Sequence, residues 1–592
     1  MPFLFKMTFS IYEGVIFFIL WLLLGRGGIY MKEKLVKEVS KTNLLLANYL
    51  NDNYSKFTLA SYVDYLAGVD GDEKALCHVD KNGERREFSY KDLSLLSNKM
   101  ANYLRKKGVK KGDVVALVLR NNYEFYIASL ALQKLGAVAL TLQFANKEAQ
   151  YKSIFKRCNP KCVIADDYEI VQGKDNDGNK ISSYVLDEVN KSVDDSVIRL
   201  CTYPKSSYSS DWGMLDDFMN ESDEFENEDV SISDLGYLFS TSGTTGEPKL
   251  VMHNYGFSLS HYFTGLWYGV EKGKKHYTMA DSGWGMGTWN MCAVLLHQGT
   301  AYINDYDRFN PEYVLDCMRK ENVNSLCAPR SILVPLCNYL ELHPSCIKPV
   351  LKTLSSAGEA VDTEVKGRCK TFLNVYPREG YGMTEVALPF YDMDNGKRIL
   401  SPLYSDVSVE DIPGLPNGEI VIKGGNIGLL MGYLDKLVNT DEHFILSRRL
   451  PTDSKCQFVW HTGDSGSVDN LGNVYCDGRL GNTVKVNDCL VNKSVVENLI
   501  KKHPSVLDCV VGSCSDPVSG NYLYAYVELK YGCSMSAKEV QQFVKMNLPN
   551  YCRPKVIEFK KLDRTCNGKL RRTDTVEAPN KKLSKQLVYC AV

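Results

Sequence analysis

Metal-ligand spacing is missing from this chain of 592 residues: among its 19 cysteines and 9 histidines there is no CxxC or HxxxH pair, and the nearest approach is Cys158 to Cys162. That excludes a zinc module of the common type. The cysteines are odd in number and scattered, which argues against a disulfide framework; they read as reduced thiols used as small apolar residues. An excess of one charge sign is missing too. With 70 Lys and Arg against 71 Asp and Glu, no global basic field exists to displace counterions from a nucleic-acid backbone, so nucleic acid is not the partner. The Walker pattern GxxxxGK[ST] does not occur, and there is no internal repeat or low-complexity tract. What is present is ordinary: 44% hydrophobic and 24% charged residues describe a globular chain. Its length allows about four folding units, or two large ones.

The N-terminus departs from that ordinary composition. Gly14 to Leu24 (GVIFFILWLLL) carries no charge, with Lys6 before it and Arg26 after it. The apolar stretch is short of the ~20 residues that span a bilayer, although residues 9–25 approach it if Glu13 sits at the interface. No small-x-small cleavage site follows, so residues 1–31 read as an uncleaved anchor rather than a cleaved signal; initiation at Met31 is the third reading. The expected location is a membrane, the endoplasmic reticulum or an organelle reached through it, with the cytoplasm as alternative.

Beyond the anchor, helical and strand-like segments alternate. Tyr90 to Lys107 repeats its leucines at helical spacing and stops at Gly108. Asp113 to Leu119, Ala137 to Leu142 and Cys162 to Ala165 are short apolar strand-like runs, separated by helical segments at Tyr123 to Leu135 and Lys147 to Arg157. Such alternation predicts parallel strands covered on both faces. Gly173 to Lys180 and the stretch Asp211 to Asp234, with ten acids and no Lys or Arg, read as solvated loops; the acidic run could instead engage a basic partner. Arg553 to Val592 holds eleven basic residues against four acids, suited to an anionic lipid or substrate.

Tyr237 to Lys249 (YLFSTSGTTGEPK) is the most informative segment. A strand-like apolar run feeds a loop of hydroxyl residues and glycines that ends in a lysine. Glycines let backbone N–H groups turn inward and hydroxyls add donors, so such a loop can wrap a polyphosphate. Taken alone it could equally be a turn.

The order TSGTTGEPK resembles the signature of the adenylate-forming superfamily of acyl-CoA synthetases, luciferases and peptide-synthetase adenylation domains. Ser356 to Ala360 (SAGEA), Glu379 to Glu385 (EGYGMTE), His461 to Asp464 (HTGD), Gly478-Arg479 and Asn567 to Lys569 (NGK) follow in that family's order. The match runs from about Lys56 to Glu577. Asp281 to Asn290 (DSGWGMGTWN) and His503 to Gly520 are most similar to short- and medium-chain acyl-CoA synthetases. The resemblance implies an α/β fold. Residues 32–478 would form a large multi-subdomain adenylating domain, and 479–592 a small mobile α+β lid.

It also implies ATP, Mg²⁺ and coenzyme A, and assigns residues to them. A carboxylate is a poor electrophile until condensed with ATP into an acyl-adenylate, so two anions must meet and developing charge must be stabilised. Thr241, Ser242, Gly243, Thr244, Thr245, Gly246, Glu247, Pro248 and Lys249 would hold the departing pyrophosphate, with Thr244 in a catalytic role. Glu385 would hold Mg²⁺, which needs few carboxylates beside phosphate oxygens. Lys569 would contact the acyl carboxylate and α-phosphate, and Asp464 with Arg479 the ribose. Gly358, Glu359 and Ala360 would line the adenine, with Tyr381 stacking on it. Glu379, Gly380, Gly382, Met383 and Thr384 complete the nucleotide site. Each has a plainer alternative: Glu385 a capping or salt-bridged carboxylate, Lys569 a surface lysine, Asp464 a turn residue. Their joint order in one chain favours the functional assignment. His253 is structural or substrate-orienting, since a nucleophile that is already a carboxylate needs no general base. Trp284 and Trp289 line the acyl tunnel or pack as ordinary core.

One loop departs from the family pattern. Where the family has GRxDD, then a glycine and an arginine, residues 478–491 read GRLGNTVKVNDCLV, with Gly481 and Asn482 for the aspartates, Asp488 for the glycine and Leu490 for the arginine. Val486, Asn487 and Asp488 would form part of the coenzyme A channel, and Asp488 adds a side chain and a charge there. The expected reaction converts ATP, a medium-chain fatty acid and coenzyme A into acyl-CoA, AMP and pyrophosphate. The alternatives are a ligase with another acceptor, an acetate-type synthetase, or a membrane-tethered acyl or nucleotide binder weakened in turnover. Oligomeric state stays open.

Overall fold

The computed structural model describes residues 32–174, 180–202, 212–241, 248–306, 309–358, 361, 363–393, 397–404, 406–412, 418–423, 427–434, 444–446, 458–480, 483–486, 489–516, 520–548, 552–564 and 570. They gather into two compact units. The larger runs to Ser405 and takes back Gly424–Glu442 and Leu446–Phe458; the smaller holds Asp406–Lys423, His443–Ile445 and the chain from Val459 onward. The boundary expected at residue 478 falls within the smaller unit.

In the larger unit the alternation read from the sequence becomes two mostly parallel sheets. One contains, in spatial order, Leu235–Thr241, Val138–Thr141, Val114–Val118, Cys162–Ala165 and Ile198–Cys201, all parallel. Helices cross between these strands because each apolar run is buried on both faces: Leu140, Ile164 and Leu238 are fully buried. The helix Tyr90–Lys107 starts with a capping box between Ser89 and Asp92 and stops at Gly108, whose φ of 100° is the left-handed conformation that ends helices. Asn122 caps the helix Tyr123–Lys134 through Phe125 N.

The second sheet has a parallel centre built from Lys275–Thr278, Thr300–Asn304, Ser325–Cys327, Thr353–Ala357 and Pro377–Met383. Both sheets turn antiparallel at one end. Lys249–Asn254 folds back on Leu235–Thr241, and Val386–Asp392 folds back on Pro377–Met383. Residues 428–434 run between these two edges. On one side Leu430 N donates to Glu385 O and Ala387 N to Gly428 O; on the other Met431 N donates to Met252 O and Leu434 N to Leu250 O. Two sheets are thereby tied along the strands that follow the two family motifs.

Two expected loops hold more structure than a solvated connection, although residues 175–179 lie outside the described residues and much of the acidic run is irregular and exposed. Glu169–Lys174 and Lys180–Tyr184 pair as an antiparallel hairpin, so Gly173, Lys174 and Lys180 are strand residues. The acidic run is not simply solvated. Its basic partner is the chain's own helix Tyr90–Lys107: Lys106 pairs with Glu221 at 2.8 Å, Arg105 with Glu228 at 2.9 Å, and Lys99 donates to the carbonyls of Met219 and Glu221. Trp212, Leu215, Phe218 and Ile232 bury beneath it.

The smaller unit opens with an antiparallel sheet that includes Asp406–Glu410, Gly418–Lys423, Phe458–Val468 and Val474–Arg479. Beyond it, the helices Lys493–Lys501 and Ala537–Asn547 accompany the strands Val506–Asp516, Gly520–Leu529 and Val556–Phe559 around a core with Val496, Cys509, Leu523 and Val540. This mixture is the small α+β part that was expected. Among the described residues every cysteine is free and most are buried, no helix is long and apolar enough to cross a membrane, and no cluster of three metal-ligating side chains forms. The candidate anchor at 9–25 lies outside the described residues.

Candidate active site

The informative positions of the larger unit lie at the carboxyl ends of its parallel strands, where ligands of open α/β sheets bind. Leu235–Thr241 ends at Thr241, opposite Lys249 on the returning strand, and so delivers both ends of the Ser/Thr/Gly loop to one place. In the other sheet Thr353–Ala357 ends at Gly358, whose φ of 86° favours glycine, and Ala357 is in register with Gly380. The next turn carries Thr384 and Glu385.

A set of short contacts joins the two edges. His253 Nε2 donates to Thr384 O at 2.7 Å. Burial lowers the His253 pKa to about 4, so the ring is neutral near pH 7. With its donor used on Thr384 and its ring 4.0 Å from Phe257, His253 holds the turn in place, which favours the structural side of its two expected roles. Glu385 accepts from the Tyr433 hydroxyl at 2.8 Å, and Lys249 Nζ stands 4.9 Å over the Tyr433 ring. Tyr433 therefore touches one residue from each motif. It was missed in the sequence because one tyrosine among 36, 48 positions from its partner, gives no local signal.

Around that turn, Glu379 is a structural anchor: Oε1 accepts from Val361 N at 2.8 Å and Oε2 from Lys366 Nζ at 2.5 Å. It fixes the start of the helix Thr363–Leu373 against the strand. Phe390 covers one face of Tyr381 at 4.7 Å, nearly parallel. Gly380 and Gly382 are glycine for lack of space, since a Cβ would stand 2.7 Å from Trp267 and 2.3 Å from the Ala387 carbonyl. Trp289 is buried, stacks on His261 at 5.0 Å and reaches under Gly382. Trp284 is half-buried at the start of the helix Gly285–Leu296. Met383 ends the strand that carries these glycines.

In the smaller unit Asp464 and Arg479 are directly opposed in register, and Arg479 Nε lies 3.0 Å from Asp464 Oδ1. Asp464 N donates to Thr462 Oγ1 at 3.0 Å, and Arg479 Nη1 to Thr462 O at 3.4 Å. His461 contacts Glu419 at 2.8 Å. Val486 is buried in the apolar core, so its side chain packs inward rather than toward a channel. Arg564 donates to both Asp508, at 2.9 Å, and Glu528, at 3.2 Å, and pairs by backbone with Leu570. Ser242, Gly243, Thr244, Thr245, Gly246, Glu247, Glu359, Ala360, Gly481, Asn482, Asn487, Asp488 and Lys569 lie outside the described residues. Pro248 and Lys249, at the end of the loop, are half-buried.

The surroundings of Glu385 fit a hard cation completed by phosphate oxygens. Its carboxylate is tied by a neutral phenol, and among the described residues no Lys, Arg or His pairs with it. A single carboxylate is what Mg²⁺ uses beside a polyphosphate.

Comparison with known proteins gives the class. The AMP-binding enzyme family matches residues 66–434, and the AMP-binding enzyme C-terminal domain matches residues 495–569. The chain belongs to the AMP-binding enzyme family. It is 28% identical over 576 residues to the 4-hydroxybutyrate–CoA ligase 1 of Metallosphaera sedula, covering 93% of this chain and 94% of that protein. It is 26% identical to the mitochondrial acyl-coenzyme A synthetase ACSM3 of Homo sapiens, covering 88% and 89%. Among solved structures, the anthranilate CoA ligase AuaEII in complex with anthranoyl-AMP aligns with a TM-score of 0.71 at 18% identity, over 87% of this chain and 96% of that one. ATP-bound MatB from Rhodopseudomonas palustris aligns with a TM-score of 0.70 at 21% identity, over 87% and 97%. These two likenesses establish the adenylate-forming fold.

Proposed function

We propose that this protein is an AMP-forming acid–thiol ligase: it activates a medium-chain fatty acid with ATP through an acyl-adenylate and passes the acyl group to coenzyme A. The observation that carries this reading is the linkage of Lys249, Tyr433 and Glu385 at the edge where the loop strand and the carboxylate turn meet. It puts a loop-end cation and a carboxylate on one tyrosine, as a reaction that binds a polyphosphate beside a metal requires.

In this reading Thr241 to Lys249 cradle the pyrophosphate while Glu385 holds Mg²⁺, which when bound neutralises phosphate charge. Gly358, Glu359 and Ala360 line the adenine, with Tyr381 against it. Asp464 and Arg479 bind the ribose, and Lys569 brings a positive charge to the acid and the α-phosphate. Trp284 and Trp289 wall the acid. Residues 9–25 direct the chain to a membrane.

Pyrophosphate release over a panel of acids, with and without coenzyme A, tests the reading. Release with a medium-chain acid and formation of its thioester are expected. Release without thioester would favour the ligase with another acceptor, a reading motivated by the altered 478–491 loop. No release with any acid would leave a binder. Fractionation of cells expressing the chain with and without residues 1–31 tests the membrane assignment; identical soluble fractions would reject it.

A further inference from the structure

We propose that Tyr433 is a positioning residue for the metal-holding carboxylate, coupling the end of the phosphate loop to Glu385; the inference rests on the reading of Glu385 as the Mg²⁺ residue. Three observations carry it. The Tyr433 ring is 3% exposed, and its hydroxyl donates to Glu385 Oε1 at 2.8 Å. A buried phenol needs a partner for its O–H, and here that partner is the carboxylate. With Oε1 engaged, Oε2 would be the oxygen left for a cation, and rotation of the carboxylate is restrained.

The backbone beneath the tyrosine is anchored on both sides. Gly432 and Tyr433 pair with Met252 and Val251 on the strand that leaves the phosphate loop, while Leu429 bridges to Val386 and Leu430 N donates to Glu385 O at 2.8 Å. The segment thus spaces the two motifs from the main chain, and the tyrosine completes the spacing with its side chain. Finally, Lys249 Nζ lies 4.9 Å over the ring. A cation over the π face withdraws electron density from the phenol and strengthens its donated hydrogen bond. Repositioning of Lys249 at the phosphate loop would therefore be felt at Glu385. Partners that orient a metal-binding side chain are commonly worth 10- to 100-fold in affinity or activity.

The test compares the full chain with Tyr433→Phe, Glu385→Gln and the double variant. Phenylalanine keeps the buried ring and the face beneath Lys249, and removes only the hydroxyl. Mn²⁺ binding is read from loss of the free-ion EPR signal in the presence of a non-hydrolysable ATP analogue, alongside acid-dependent ATP–pyrophosphate exchange and melting temperature. Tyr433→Phe is expected to weaken Mn²⁺ binding ~10-fold or more at an unchanged melting temperature. The double variant is expected to bind no more weakly than Glu385→Gln alone, because both changes act through one carboxylate. Wild-type Mn²⁺ affinity in Tyr433→Phe, or additive losses in the double variant, would overturn the proposal while leaving Glu385 as the metal residue. Wild-type affinity in Glu385→Gln would reject the underlying assignment, and the proposal with it.

Discussion

Asp464 and Arg479 stand opposite each other on neighbouring antiparallel strands, with Arg479 Nε 3.0 Å from Asp464 Oδ1. The aspartate side chain is 9% exposed and the arginine side chain 58% exposed, so the pair is a buried carboxylate aimed by a surface guanidinium. Asp464→Asn keeps the shape and removes the charge. A hydrogen bond to a charged group is worth ~1.5–3 kcal/mol, so the KM for ATP should rise ~10-fold or more. An unaltered KM would separate this pair from the nucleotide.

Lys569→Ala should slow adenylation by ~10²–10³-fold, as expected for loss of one donor to developing charge. Acid-dependent ATP–pyrophosphate exchange measures it. Thioester formation from supplied acyl-adenylate should be nearly unaffected, and an equal loss in both half-reactions would point to damage of the smaller unit.

For coenzyme A transfer, Asp488→Gly removes a negative charge and a side chain from the altered loop. Thioester formation should become faster with adenylation unchanged. Equal transfer rates in single-turnover experiments on the two proteins would count against a channel at this loop.

Glu124 supplies a pH signature. It is 1% exposed at the start of the helix Tyr123–Lys134, and burial, helped by the nearby Asp166, raises its pKa from 4.5 to about 8. The native state keeps this proton over a range where the unfolded chain has lost it. Its contribution is therefore full below pH 4.5 and is lost progressively as pH rises to about 8. Glu124→Gln should raise the melting temperature more at pH 8 than at pH 4.5. An equal shift at both values would show that Glu124 ionises normally in the fold.

Much of the parallel framework was readable from local pattern. The helix at Tyr90–Lys107 carries its cap and its glycine stop in the sequence, and the strand at Cys162–Ala165 is an isolated apolar run. Contacts made at a distance were not readable. Gly173 and Lys180 look like turn residues, yet their backbone pairs in a hairpin. The acidic run lacks its own basic residues because they stand on a helix more than 100 positions away. The motifs marked Glu385 and Asp464 by their chemistry, but nothing marked Tyr433, whose role comes from the meeting of two sheet edges.

The route of the chain also governs how the protein can be divided. It leaves the larger unit after Ser405, contributes two strands to the smaller one, and returns at Gly424 before departing again. A fragment cut at Ser405 would be missing Tyr433 and the strand that seals the sheet edge, so it could not serve as an autonomous catalytic half. Grafting a relative's C-terminal portion onto this protein with the larger unit kept whole needs a crossover beyond residue 458; a junction before residue 433 would replace the tyrosine as well.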